Sequence, residues 1–179
     1  MRASSLLFLA SIFACASSGA VSEQPVTPQT RGAGLGDGRT MTTTTSSISG
    51  ELPFPVERVW AILPSVYDSL GVPATDVNAS TRIVGNSGLK VRRRLGALPL
   101  SRILDCGTTQ GGPSAETYEI VMTIRTRLQP AGASATTLAT EIEASGRPVS
   151  FAGNDVRCMS KTTLEKRIFE TVKQRLSTL

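Results

Sequence analysis

The residues best equipped for chemistry in this chain are its three cysteines, Cys15, Cys106 and Cys158, and the chemistry open to them is set by what is missing around them. There is no histidine. That removes the commonest general base and the commonest metal ligand, and it makes a Ser-His-Asp arrangement impossible. A zinc site would have to use thiolates and carboxylates alone, and two spaced cysteines do not make a four-ligand set. No Cys-x-x-Cys pair is present to act as a catalytic dithiol. Gly107 and Gly111-Gly112 open no helix and no Lys-Ser/Thr follows them, so a phosphate-cradling loop is missing as well. No catalytic residue, metal or cofactor is therefore expected. A cyclase-like enzyme stays open as a third function class, with the lack of histidine weighing against it.

Cys15 has a different setting. Arg2 precedes the apolar run Leu6-Leu7-Phe8-Leu9-Ala10-Ser11-Ile12-Phe13, and small residues follow from Ala14 to Ala20. Charge, short apolar core and small residues in that order form a secretory signal pattern. The run is too short for the roughly 20 residues of a membrane-spanning helix. Ala14-Cys15-Ala16 fits ordinary cleavage, whereas Ile12-Phe13-Ala14-Cys15 resembles a bacterial lipobox in which the cysteine is lipidated. An odd cysteine in an exported chain asks for an explanation. Lipidation of Cys15 supplies one and leaves Cys106 and Cys158 as a disulfide, closing a loop worth on the order of 4 kcal/mol. The expected division is a signal peptide over 1–14, a disordered Ser/Gly/Pro/Thr-rich tether over 15–40 and one folded domain over 41–179. Loss of the first fourteen residues removes only Arg2 among the charges, leaving 18 basic and 14 acidic side chains, a net of +4. Mild charge and export together argue against nucleic acid. The expected location is the cell envelope, with membrane attachment through the lipid and the protein partner undefined.

The densest charge run is Lys90-Val91-Arg92-Arg93-Arg94-Leu95. On a strand, Lys90, Arg92 and Arg94 share one face, and Leu89, Val91, Arg93 and Leu95 share the other. One consequence is an ordinary solvated face. The sharper one makes Arg93 a lone cation on an apolar concave surface, able to fork onto a carboxylate or phosphate headgroup.

The elements that must position these residues follow from periodicity. Thr42 to Gly50 is Thr-rich and predicts a strand. Val56, Val59, Trp60, Leu63, Val66/Tyr67 and Leu70 recur at three and four, interrupted by Pro64, which predicts two short helices over 55–63 and 64–70 stopped by Gly71. Further strands are expected over 75–84, 89–95 and 100–106, with turns at Gly85–Gly88 and Gly96–Pro99 and a polar loop over 107–115. Residues 116–128 and 135–147 alternate with a period of two and predict an antiparallel hairpin with Arg125 and Arg127 facing Glu141 and Glu143. Thr162-Thr163-Leu164-Glu165 has the capping-box pattern. Behind it Leu164, Ile168, Val172 and Leu176 form the stripe of a long amphipathic helix. The fold class is α+β, with about six antiparallel strands and that helix covering the dry face of their sheet.

Strand, two short helices, antiparallel strands and a closing helix, with Ser49-Gly50-Glu51-Leu52-Pro53-Phe54-Pro55-Val56-Glu57-Arg58-Val59-Trp60 at the entry, resemble the START/Bet v 1-like (SRPBCC) helix-grip superfamily. The resemblance spans about residues 42–178. It implies a curved sheet wrapped on the long helix, often around a cavity for an apolar small molecule or lipid, and no shared catalytic residue. The lining would then be Tyr118, Ile120, Met122 and Ile124 from the sheet and Leu164, Ile168 and Val172 from the helix, with Arg93 orienting an acidic headgroup. A non-enzymatic apolar-ligand binder and a structural or partner-binding envelope lipoprotein with a filled core both remain open.

Overall fold

A computed structural model describes Val21–Ser22, residues 46–150 and residues 152–178. The expected signal peptide, the lipidation cysteine Cys15, most of the tether and the first residues of the first strand lie outside the described residues. The architecture is α+β: a curved, antiparallel sheet of seven strands, extended at one edge by the two-residue Val21–Ser22, with two long helices on one face. Strands β1 (Ser46–Leu52), β2 (Asp76–Asn78), β3 (Ile83–Arg92), β4 (Leu104–Asp105), β5 (Tyr118–Pro130), β6 (Thr136–Pro148) and β7 (Val156–Ser160) run among helices α1 (Val56–Ser69), α2 (Leu100–Ile103), α3 (Ser114–Thr117) and α4 (Thr163–Ser177). Val21–Ser22, inside the stretch expected as tether, pairs with Ser49 and Gly50 on the outer edge of β1. Among the described residues no helix is long and apolar enough to cross a membrane.

Strict alternation makes β5 and β6 the spine. They pair from Tyr118 with Pro148 to Pro130 with Thr136, and inward residues along β5 are buried while outward ones are not. Arg125 lies opposite Glu141 as the alternation requires, but Glu143 faces Thr123, and Arg127 faces Ala139. The sheet order is β1-β6-β5-β3-β2. One edge of β6 serves two partners, β1 along 136–142 and β7 along Ala144–Gly146. Helix α4 packs on β1, β6 and α1, and α1 on β5 and β3, so the helices lie side by side.

The structure corrects several boundaries. Helix α1 is continuous through Pro64 instead of broken in two. The ring costs one backbone hydrogen bond, but buried Val56, Val59, Leu63, Val66 and Tyr67 hold both halves on the same core. Gly71, at φ +80°, follows its end as expected. Gly85–Gly88 is not a turn. It lies within β3, where Ser87 and Gly88 together oppose Thr123 in a bulge, between the pairs Asn86–Ile124 and Leu89–Met122. The turn comes earlier, at 79–82, where Asn78 Oδ1 accepts from Ser80 Oγ and the Thr81 N–H. Residues 100–106 form α2 and the two-residue β4 because Leu100 and Ile103, three apart, are both buried. A seventh strand, β7, lies between β6 and α4, beyond the six expected, and it carries Cys158. The cap of α4 also differs. Thr162 is left-handed and its hydroxyl caps nothing; Ser160 Oγ instead accepts the Thr162 N–H at 3.0 Å and donates to Glu165 at 2.5 Å.

Candidate functional site

Seven of the residues expected to line a cavity do come together. Tyr118, Ile120, Met122 and Ile124 from β5 and Leu164, Ile168 and Val172 from α4 belong to one buried cluster. Their arrangement is a packed interior. Ile120, Met122, Ile124, Ile168 and Val172 are each 0% exposed, and Tyr118, at 8%, is the most open of the seven. A void big enough for one water would expose part of its own walls, so no such void touches those five side chains. Phe169 completes the layer. A Cβ at Gly50 would lie 2.5 Å from its ring, so only glycine lets α4 seat this close to β1.

Arg93 does not join them. It is exposed, at φ +64°, immediately after β3 ends at Arg92. The left-handed residue breaks the period of two that would have turned its side chain inward. Leu89 and Val91, before the break, do pack against the core. The expected headgroup cation is thus a surface residue at the start of the small hairpin made by Arg94–Leu95 and Leu98–Pro99.

The interior contains polar groups that alternation alone did not single out. Tyr67 Oη lies 2.7 Å from Thr126 Oγ1, which lies 2.8 Å from Thr140 Oγ1, a buried row of hydroxyls linking α1, β5 and β6. Burial pushes the Tyr67 phenol far above its usual range; the Thr126 bond opposes this and the charge of Glu165 adds to it. Glu165 is itself fully buried. Desolvation raises its pKa, against the hydrogen bond from Ser160. Its Oε2 has no hydrogen-bond partner among the described residues. Tyr67 and Glu165 were legible only as a core aromatic and a capping-box acid, because their meeting depends on how α1 and α4 pack. Among the described residues no three His, Cys, Asp or Glu side chains gather as a metal site would need.

No protein-family model, curated protein or solved structure matches this chain.

Open space lies on the other side of the sheet. A cleft of about 260 Å³ forms where β6 changes partner from β1 to β7; its lining includes Val121, Glu143, Ser145, Arg157 and Cys158. A second, of about 190 Å³, shares Val121 and Ser145 and is walled by Lys90, Glu119, Arg147 and Asp155. Arg147 Nε donates to Asp155 Oδ1 at 2.7 Å, raising the arginine's pKa and lowering the carboxyl's. Both clefts carry cations and acids together. Cys158, on the rim, is bonded to Cys106, the disulfide expected from the even pair. It ties β7, and with it the entry to α4, to the chain just after β4.

Proposed function

We propose that this is an exported, lipid-anchored envelope domain of helix-grip type whose core is filled by its own side chains, and which acts through its surface as a structural or partner-binding module. The observation that carries the choice between a filled and a ligand-holding core is the zero exposure of Ile120, Met122, Ile124, Ile168 and Val172. A drug-sized or lipid ligand needs a site of roughly 300–1,000 Å³. Making that room would cost the apolar contacts of this layer, each large side chain contributing about 1.5–3 kcal/mol by burial. The helix-grip reading draws on the order of elements and on the seating of α1 and α4 on one face of the sheet. Export and anchoring draw on the Leu6–Phe13 run and Cys15. A disulfide between Cys106 and Cys158 is in keeping with an oxidising compartment.

Titration of the purified chain with a fluorescent long-chain fatty acid tests the filled core. The expected result is no saturable signal at micromolar protein. One-to-one saturation displaced by unlabelled fatty acid would replace this reading with that of an apolar-ligand carrier. For the anchor, Cys15→Ser should move the protein from the membrane fraction to the soluble one; a wild type already soluble and starting after Cys15 would contradict it.

A further inference from the structure

The two edges of the sheet are protected to different degrees. β2 closes one side with three residues, too few to template another strand. β1 closes the other with seven, in continuous register with β6 from Leu52–Thr136 to Ser46–Ile142. Glu51 is its one charge, and it holds no lysine, proline or bulge, the devices that usually blunt such an edge. Its outer side is instead occupied by the chain itself: Val21 pairs with Gly50 and Ser22 with Ser49.

Among the described residues that ladder is two residues long, and the sequence explains why. Continuing the register would set Pro25 opposite Ser46, and Pro28 follows; neither has an N–H to give. So short a ladder would not hold separate chains together. Within one chain, 23 residues join Ser22 to Ser46, and a covalent link confers an effective concentration on the order of millimolar. The occupant of this edge is therefore the chain's own N-terminal segment.

Its place in the chain turns the contact into a spacer. Val21 is six residues beyond Cys15, whereas Ser46, where β1 begins, is 31 beyond it. At about 3.5 Å per extended residue, a first fixed point at Ser46 would let β1 stand about 100 Å from a lipid on Cys15, but one at Val21 limits it to about 20 Å. We infer that Val21–Ser22 is a latch that takes up the length of the tether and holds the β1 edge of the domain at the membrane surface. Partners of the domain must then lie at that surface too. The inference rests on the anchor at Cys15 proposed above and adds the placement that the anchor imposes.

Two measurements test it. The first uses the full chain carrying Cys15→Ser, free of lipid, with and without Val21→Pro/Ser22→Pro. Successive N–H groups of a strand point to opposite edges, so one of the two residues must offer its N–H to β1, and the paired prolines cannot. For the same reason one of the Ser49 and Gly50 amides faces the latch and the other faces β6. The amide facing the latch should exchange with deuterium about five- to tenfold faster in the variant. Amides of β5 and β6 should keep their protection, which shows that the sheet is intact. Unchanged exchange at both positions would overturn the latch, whether or not Cys15 carries a lipid. Protection that falls on dilution of the parent would assign the edge to a second copy and overturn it as well. The second measurement uses the acylated chain in vesicles, with a fluorophore at Glu51→Cys and an acceptor on the lipid headgroups. Releasing the spacing from about 20 Å toward 100 Å should lower energy transfer by about half or more in Val21→Pro/Ser22→Pro. Equal transfer would overturn the placement at the membrane. A mature chain without lipid on Cys15 would remove the anchor and that placement together, while the amide result would still decide the latch.

Discussion

Glu165 sits where the sequence pattern asks for a capping-box acid, yet packing turns it into a buried carboxyl held by Ser160 with Oε2 left over. Desolvation raises its pKa above the usual 4.5. A raised folded-state value means the contribution to stability is fully present below the unfolded pKa and is lost as pH rises through the folded one. Glu165→Gln keeps a neutral side chain of the same shape. Urea titrations should find it matching wild type near pH 4 and about 1 kcal/mol more stable near pH 8. A difference that does not change with pH would contradict the assignment. The hydroxyl row gives a second check: Tyr67→Phe should cost about 1 kcal/mol and leave the far-UV spectrum unchanged, with no loss pointing to a water already serving Thr126. Neither group was legible as part of a polar cluster. Tyr67 is nearly a hundred residues from Glu165, and one sequence carries no signal for such a meeting. Arg93 shows the reverse failure, since strand alternation was extended one residue past the point where the backbone turns left-handed.

Elements were legible in proportion to their length. The 13-residue partners β5 and β6 and the 15-residue α4 show their period over several repeats, and their positions agree with expectation. β7 has five residues, too few to separate a strand from a loop, and β4 and α2 are shorter still. A bulge and a turn share the same glycine and asparagine chemistry, which is why Gly85–Gly88 was misplaced while the true turn lay at 79–82. Two predictions belong to these elements. Breaking the Cys106–Cys158 bond with paired Ser substitutions opens a loop of 52-residue separation and should lower stability by about 4 kcal/mol, seen equally on reducing the wild type. Unchanged unfolding in reductant would show that the tie constrains nothing. Gly50→Ala puts a methyl group into the Phe169 ring and should cost about 1–3 kcal/mol, with thermal unfolding as the readout. An unshifted melting temperature would mean that α4 is seated more loosely on β1 than described.

At the scale of the whole molecule, the sheet and both long helices spend their apolar faces on one another. The stripe on α4 was legible, and so was the surface it had to cover. Whether the two would meet around a void or close on each other was not, because it depends on side-chain volumes in three dimensions. Phe169 over Gly50 and Met122 between Ile120 and Ile124 close it. What remains for recognition is the exterior, with clefts of mixed charge on the outer face of the sheet. The central claim is that nothing but protein occupies the interior. Native mass spectrometry of the protein purified gently from the cells that make it, together with organic extraction of the same sample, tests it most directly. The mass should equal that of the polypeptide with its disulfide and any covalent N-terminal lipid, and the extract should hold no stoichiometric free lipid. A non-covalent adduct of lipid mass that survives desalting and is recovered in the extract at one per chain would contradict the account.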